Sequence, residues 1–368
     1  MTKASDLLPE GLEDQLPASS ARITVAARAC LDALASHGYD RVRPPLLEFE
    51  RSLSSRMAGV ETSKMFRFTD PASLRTLALR SDITPQIGRI AATSMKDEAR
   101  PLRLSYCGDT AVIQASQLDP ARERLQLGGE LIGADTVAAA SEIVQVAVQA
   151  LNAAGLTGIS VDFTLPDLVD TLTAQDESLN AETVDAIRRE LDTKDAGGLK
   201  AVGGEAYLPL LYSTGPFGEA LAKLRALDAG GALSTRLDGL EAIAGALDDT
   251  TRLTLDPTER HGFEYQSWLG FTLYADGVRG AAGRGGTYRI GGSDEAATGF
   301  TLYINRLTEV AAQTESAKMV YLPHGHDAEA ASSLRQEGTR TVAQIGEGED
   351  PVQLGCTHIL VPSGLEAI

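Results

Sequence analysis

The sequence predicts an α+β protein with a large N-terminal domain and a small C-terminal α/β unit. Stretches with helical spacing alternate with stretches of strand spacing along all 368 residues, without an internal repeat. Hydrophobic residues make up 43% of the chain, which is enough to bury a large core. The pattern changes near Lys318, so we expect one domain over residues 1–315 and a second over residues 316–368.

The first hundred residues predict two helices separated by short strands. Residues 19–38 have one apolar face and end at a glycine, which predicts an amphipathic helix capped by the serines at its start. The proline pair 44–45 predicts a strand interrupted by extended backbone. Residues 66–70 and 76–82 predict short strands, and residues 84–95 predict a helix with a proline in its first turn.

The middle of the chain predicts two strands, a long helix and an inserted helical region. Residues 101–116 and 123–133 have the apolar spacing of strands. The Ala/Val-rich segment that follows predicts a helix capped by Asp135 at its start and Gly155 at its end. Residues 162–255 carry mostly short helical patterns, so we expect a helical insertion there.

A glycine-rich segment, GRGGTYRIGG at residues 283–292, lies between two predicted strands at 270–277 and 297–307. Its glycines suit either a flexible turn or the rim of a ligand pocket. It lacks the P-loop spacing and precedes a strand pattern, which argues against a loop that binds nucleotide phosphates. Beyond Lys318 the spacing predicts strand, helix, strand and strand.

Composition excludes several classes of protein. The net charge is −18, from 51 acidic and 33 basic residues, which argues against general nucleic-acid binding. Cys30, Cys107 and Cys356 lie too far apart in sequence to suggest a zinc site or a disulfide framework, so we expect a cytoplasmic protein. No stretch reaches the roughly 18 to 20 apolar residues of a membrane span. We also expect no metal ion, since the histidines at 324–326 lack a third ligand nearby in sequence.

Polar side chains recur on the predicted strands of the large domain. Gln126 and Glu130 are four residues apart, so both leave the same face of a regular strand. An amide and a carboxylate on one face suit an ammonium group or a protonated imidazole. Asp82 and Thr84, two residues apart, repeat this arrangement with a second carboxylate and a hydroxyl.

Two tyrosines near glycines, Tyr265 and Tyr288, could add an amphipathic wall to the same site. Each of these positions taken alone fits an ordinary hydrated sheet face. Taken together with the glycines beside several of them, which let a ligand approach the backbone, they predict a pocket for a small molecule.

Six segments resemble, in order and spacing, the catalytic domain of histidyl-tRNA synthetases over roughly residues 7–312. They read LLPEG, GYDRVRPPLLE, LALRSDITPQIGRI, LQLGGELIGAD, HGFEYQSWLGFTLYADG and GGTYRIGG...TGFTLYINRL. The resemblance implies a class II aminoacyl-tRNA synthetase fold, an antiparallel sheet flanked by helices, and a homodimer formed through RVRPPLLEFE. It also implies a histidine pocket lined by Asp82, Thr84, Gln126, Glu130, His261, Tyr265 and Tyr288.

The chain departs from the synthetases where they handle ATP. Val112 stands where motif 2 carries an arginine that grips the α-phosphate and the amino acid's carboxylate. His261 stands in place of a second catalytic arginine, for which the neighbouring Arg260 could substitute, and only Arg306 matches the motif 3 arginine. A charge-assisted hydrogen bond contributes about 1.5 to 3 kcal/mol, so losing both arginines predicts a loss of catalysis by several orders of magnitude.

The C-terminal unit of about fifty residues is half the length of the synthetases' anticodon-binding domain, so we expect no tRNA binding. The chain therefore resembles the regulatory subunits of ATP phosphoribosyltransferase. This resemblance implies a non-catalytic protein without cofactor, which joins a short catalytic subunit in a hetero-oligomer for the first step of histidine biosynthesis. It also implies that histidine acts as feedback effector. An active synthetase-like ATP-dependent enzyme and a free-standing histidine-binding protein remain the alternatives.

Overall fold

The computed structural model describes residues 7–55, 62–113, 120–174, 179–260, 266–307 and 318–368. The chain divides into two compact units, Met1–Ala311 and Ala312–Ile368. The strands of the first unit are β1 (Asp40–Arg41), β2 (Leu47–Phe49), β3 (Arg67–Thr69), β4 (Thr76–Leu79), β5 (Leu102–Ala111), β6 (Glu123–Ile132), β7 (Ser160–Thr164), β8 (Gly215–Pro216), β9 (Arg252–Leu255), β10 (Gln266–Tyr274), β11 (Gly283–Ile290) and β12 (Glu295–Tyr303).

The helices of the first unit are α1 (Pro17–Ser36), α2 (Glu50–Ser54), α3 (Thr84–Ala92), α4 (Val137–Ala153), α5 (Leu168–Thr173), α6 (Ala181–Asp192), α7 (Ala196–Ala201), α8 (Phe217–Leu227), α9 (Ser234–Gly245) and α10 (Ile304–Leu307). Short 3₁₀ helices cover Thr62–Lys64 and Glu205–Tyr212.

One large sheet organises the first unit. Nine of the described strands pair in the order β1-β5-β6-β12-β11-β10-β7-β9-β8. Every pair from β5 to β7 is antiparallel, whereas β1 pairs with β5 and β9 pairs with β7 in parallel. A separate small sheet has the order β2-β4-β3. The predicted antiparallel sheet flanked by helices is therefore confirmed, with parallel pairs toward its two ends.

The two faces of the large sheet differ in chemistry because successive side chains point to opposite sides. Leu127 and Leu131 on β6 belong to the main hydrophobic core, together with residues of α1 and α4 such as Leu34 and Val144. Phe300 on β12 is buried in the same core. The residues that alternate with these, including Glu130, therefore point to the opposite face, which is free to form a polar site.

Several predicted element ends shift in the structure. The helix α4 is capped by Thr136, whose hydroxyl accepts a hydrogen bond from the Ala139 N–H, and not by Asp135. No serine side chain caps α1, which begins at Pro17. The helices of the predicted insertion are α5 to α9. Both ends of the predicted range 162–255 are instead strands, β7 and β9, which belong to the large sheet.

The glycine-rich segment is neither a turn nor a loop over most of its length. Its first eight residues form β11, which pairs with β10 on one side and β12 on the other. The segment therefore lies inside the sheet, and only its last two glycines fall in the turn after the strand.

The second unit consists of β13 (Met319–Leu322), α11 (Ala328–Gln336), β14 (Arg340–Ala343), β15 (His358–Val361) and β16 (Gly364–Ala367). The predicted order of strand, helix, strand and strand is confirmed, and a further strand, β16, pairs antiparallel with β15. Within the described ranges, no helix combines the length and apolarity needed to cross a membrane.

Candidate ligand-binding site

A buried carboxylate marks the polar face of the large sheet. Glu130, on β6, is only 1% exposed to solvent. The Tyr288 hydroxyl, from β11, donates a hydrogen bond to Glu130 Oε2 at 2.9 Å, and the Tyr106 hydroxyl, from β5, lies 3.5 Å from Oε1. The side chain of Glu130 is thus fixed between two strands, with a phenol at each oxygen.

Glycines form the surface beside this carboxylate. Glu130 pairs with Gly299 on β12, Gly299 pairs with Gly286 on β11, and Gly286 pairs with Gly270 on β10. A Cβ atom at Gly299 would lie 1.6 Å from Glu130 Oε2, and one at Gly286 would lie 2.7 Å from the Gln266 amide nitrogen. Any larger residue would therefore fill the space next to the carboxylate, so these glycines keep the site open.

A narrow pocket lies over this row of glycines. Its lining consists of Thr84, Glu130, Gln266, Arg284, Gly285, Gly286, Tyr288, Gly299, Phe300 and Thr301. The Tyr106 hydroxyl connects two of these positions, because it lies 2.6 Å from the Thr301 hydroxyl and 3.3 Å from the Thr84 hydroxyl. The walls therefore carry hydroxyls, one amide and both signs of charge, as a small polar ligand requires.

Burial controls the protonation of the acidic groups. The pKa of the Glu130 carboxyl is raised to about 8, chiefly by burial and also by the nearby Asp82 carboxylate, while hydrogen bonds from Tyr288, Thr84 and Tyr106 oppose the rise. Burial also raises the pKa of Asp82, although the Thr84 and Ile83 N–H groups favour its charged form. A cationic group of a ligand would stabilise the ionised form of both carboxyls.

The structure brings five of the predicted site residues into one region. Glu130, Thr84 and Tyr288 line the pocket itself. Gln126 holds the chain next to Thr84 in place, since its side-chain oxygen accepts a hydrogen bond from the Ile83 N–H at 3.2 Å. Asp82 is close enough to Glu130 to raise the pKa of that carboxyl.

The predicted strand arrangement of Asp82 and Thr84 is wrong. Asp82 lies in the bend after β4, and Thr84 is the first residue of α3. Asp82 Oδ1 instead accepts a hydrogen bond from the Thr84 N–H at 3.2 Å, across the start of the helix. Both residues reach the site because the helix begins there. His261 and Tyr265 lie outside the described residues.

The positions compared with the synthetase arginines are partly described. Val112 follows β5, and its N–H donates to the Arg122 carbonyl oxygen at 2.9 Å. Arg306 donates to the Ala281 carbonyl oxygen at 2.9 Å, and its guanidinium lies 5.1 Å from the centre of the Tyr303 ring. The aromatic partner of Arg306 in this structure is therefore a side chain of the protein itself.

Sequence reasoning missed Arg284, Gln266, Thr301 and Tyr106. Of these, Arg284 was the easiest to predict from the sequence, because it lies four residues before Tyr288 and so shares its strand face. Interpreting residues 283–292 as a loop hid this spacing. Gln266 could not be found in this way, since the pairing of β10 with β11 is irregular between Gln266 and Gly270.

Comparison with known proteins identifies relatives of the whole chain. The family model described as histidyl-tRNA synthetase matches residues 11–307. A protein of Paramagnetospirillum magneticum named ATP phosphoribosyltransferase regulatory subunit is 40% identical, with 99% of each chain covered. A protein of the same name from Rhodospirillum centenum is 38% identical, covering 98% of this chain and 96% of its own length.

A crystal structure from Bacillus halodurans, described as an ATP phosphoribosyltransferase regulatory subunit/histidyl-tRNA synthetase, has the same fold. It superimposes with a TM-score of 0.82 at 25% identity and covers 96% of this chain and 97% of its own. The class II synthetase fold expected from the sequence is thereby confirmed. From its fold and its relatives, the chain belongs to the family of ATP phosphoribosyltransferase regulatory subunits, built on a histidyl-tRNA synthetase domain.

Proposed function

We propose that this chain is a non-catalytic subunit that binds histidine and thereby regulates a separate, short ATP phosphoribosyltransferase catalytic subunit. The observation that carries the proposal is the pocket around Glu130, in a chain whose relatives are named regulatory subunits. In this role it would act in the cytoplasm, in the first step of histidine biosynthesis, without tRNA or cofactor.

The chemistry of the pocket supports histidine as the ligand. Histidine offers an ammonium group and an imidazole, and both can donate hydrogen bonds to carboxylates. Glu130 and Asp82 supply two buried carboxyls, and a cationic group of the ligand would stabilise their ionised form. The hydroxyls of Thr84 and Tyr288 add polar partners at the same place.

The loss of catalysis follows from the chemistry at the position of Val112. An alkyl side chain cannot donate a hydrogen bond to a phosphate, and phosphoryl chemistry depends on cations aimed at developing charge. Arg306 is engaged with the Tyr303 ring and the Ala281 carbonyl oxygen. Both features favour a binding protein over the alternative of an active synthetase-like enzyme.

Regulation requires that histidine bind two arrangements of the hetero-oligomer with different affinity, commonly by about 1 to 3 kcal/mol. We place a homodimer contact in the segment 41–50. Leu46 and Leu47 in this segment are 46% and 40% exposed in the single chain, and burying them would favour association. The contact with the catalytic subunit would then use other surfaces of the dimer.

The decisive experiment measures ATP phosphoribosyltransferase activity of a short catalytic subunit with and without this chain. We expect the chain to raise the activity and to make it inhibitable by histidine. The variant Glu130→Ala should abolish inhibition, while Glu123→Ala, at the exposed start of the same strand, should retain it. An unchanged rate on adding the chain would reject the regulatory role. Robust histidine-dependent exchange between ATP and pyrophosphate would favour the enzyme instead.

A further inference from the structure

The pocket carries an acidic and a basic side chain from two strands, β6 and β11, that are separated by β12. Glu130 on β6 supplies a carboxyl, and Arg284 on β11 supplies a guanidinium, and both line the same pocket. Arg284 pairs in register with Thr301 of β12, two residues along from the pairing of Gly286 with Gly299. Arg284 therefore lies on the same face of the sheet as Glu130, two residues along β11 from the row of glycines that begins beside Glu130.

The sheet geometry sets the distance between these charges. Glu130 is two strands away from Gly286, and Arg284 is two residues along β11 from Gly286. With strands about 4.8 Å apart and a rise of about 3.3 Å per residue, the backbones of Glu130 and Arg284 are about 12 Å apart. Both side chains line one pocket, and a small zwitterion offers an ammonium group to the carboxyl and a carboxylate to the guanidinium.

Two further arginines contact the Tyr303 ring, close to Arg284. Arg124 and Arg306 lie over the Tyr303 ring, at 5.9 Å and 5.1 Å from its centre, and each donates to a backbone carbonyl oxygen. Burial raises the pKa of Tyr303, the charges of Arg284, Arg124 and Arg306 oppose this rise, and the Asp82 carboxylate adds to it. Three arginines therefore lie near Tyr303, and Arg284 is the one of the three that lines the pocket.

We propose that Arg284 binds the carboxylate of the amino-acid ligand and thereby makes the site select an amino acid over its decarboxylated analogue. The inference rests on the proposed binding of histidine. A guanidinium suits this task, because its planar fork of donors can hold both oxygens of a carboxylate. In the synthetase comparison an arginine at the position of Val112 grips that carboxylate, so Arg284 supplies the missing cation from another strand.

Titration calorimetry with histidine and with histamine, which lacks only the carboxylate, tests the proposal. We expect the wild-type protein to bind histidine at least about tenfold more tightly than histamine. Arg284→Met should weaken histidine binding about 10- to 100-fold and leave histamine binding within about twofold. Arg284→Lys, which keeps the charge and loses the fork, should lie between them.

Arg289→Met is the matched control. Arg289 is exposed on the same strand, pairs at 3.7 Å with Asp135 and Asp294, and is not part of the pocket lining. It should bind both ligands as the wild type does. Thermal unfolding, followed by fluorescence of the single tryptophan, Trp268, checks that each variant is folded.

The outcomes distinguish a failure of the histidine pocket from a failure of the role of Arg284. Wild-type protein that binds neither ligand would reject the histidine pocket itself. Wild-type protein that binds both equally, or folded Arg284→Met and Arg284→Lys variants that keep the full preference for histidine, would reject the role of Arg284 and leave the pocket standing. If Arg284→Met does not fold, the Arg284→Lys result decides.

Discussion

Replacing Glu130 by glutamine should remove a loss of stability that the wild-type protein undergoes as the pH rises from 6 to 8. Burial raises the pKa of this carboxyl from 4.5 to about 8 in the folded protein. Between these values the folded chain retains a proton that the unfolded chain has released. Raising the pH through this interval therefore favours the unfolded state, and stability is lost as pH approaches and passes the folded pKa. Glutamine has nearly the same shape and carries no proton to lose.

The size of the effect follows from the pKa. Each pH unit in which folded and unfolded states differ by one bound proton changes the free energy of unfolding by about 1.4 kcal/mol. For a folded pKa of about 8, the difference falls to half a proton at pH 8. From pH 6 to pH 8, the contribution of Glu130 to stability therefore declines by about 2 kcal/mol.

Urea unfolding of the ligand-free protein at pH 6, 7 and 8 measures this decline. The free-energy difference between Glu130→Gln and the wild type should shift by about 2 kcal/mol in favour of the variant as pH rises from 6 to 8. Glu123→Gln is the control, since this carboxyl is exposed on the same strand and its variant should follow the wild type. A difference that stays constant with pH would show that Glu130 is ionised throughout, and the electrostatic description of the pocket would be wrong.

Three other predictions, two of them with a control substitution, test separate parts of the structure. Gly299→Ala should abolish histidine binding in calorimetry, because its Cβ would lie 1.6 Å from a carboxylate oxygen, whereas Gly218→Ala, with nothing within 4 Å, should bind normally. Thr136→Ala should lower the free energy of unfolding in urea by about 1 kcal/mol, and Asp135→Ala by less, because Thr136 caps the helix. Tyr288→Phe should weaken histidine binding in calorimetry about tenfold by removing the hydrogen bond to the buried carboxyl. Equal affinity would show that this hydrogen bond does not contribute to histidine binding.

Periodicity predicted most of the sheet correctly because burial imposes it directly. Leu127 and Leu131 must face the core, so the alternating residues of β6 must face away from it. Helix ends were less accessible to sequence reasoning. Asp135 and Thr136 are both good N-cap residues, and only the backbone geometry shows that Thr136 accepts the hydrogen bond.

The glycine-rich strand shows why the site itself was harder to predict than the fold. Gly286 and Gly299 belong to a row that crosses neighbouring strands, and strand register is a property of the folded sheet. Along the sequence the same glycines raise the local turn propensity and indicate a loop. Their role is visible only once the side chain of Glu130 is known to lie beside them.

Catalysis and ligand binding make different demands on one pocket. A synthetase must stabilise charge that develops on a phosphate, so it needs cations placed for that group alone. A binding protein needs only partners for the two ends of its ligand. In the function proposed above, a valine at position 112 in place of an arginine removes the first capability, and Arg284 serves the second, because a carboxylate can be approached from a different strand. The same fold can thus lose adenylate-forming catalysis and keep ligand binding, provided that a cation is placed to bind the ligand's carboxylate.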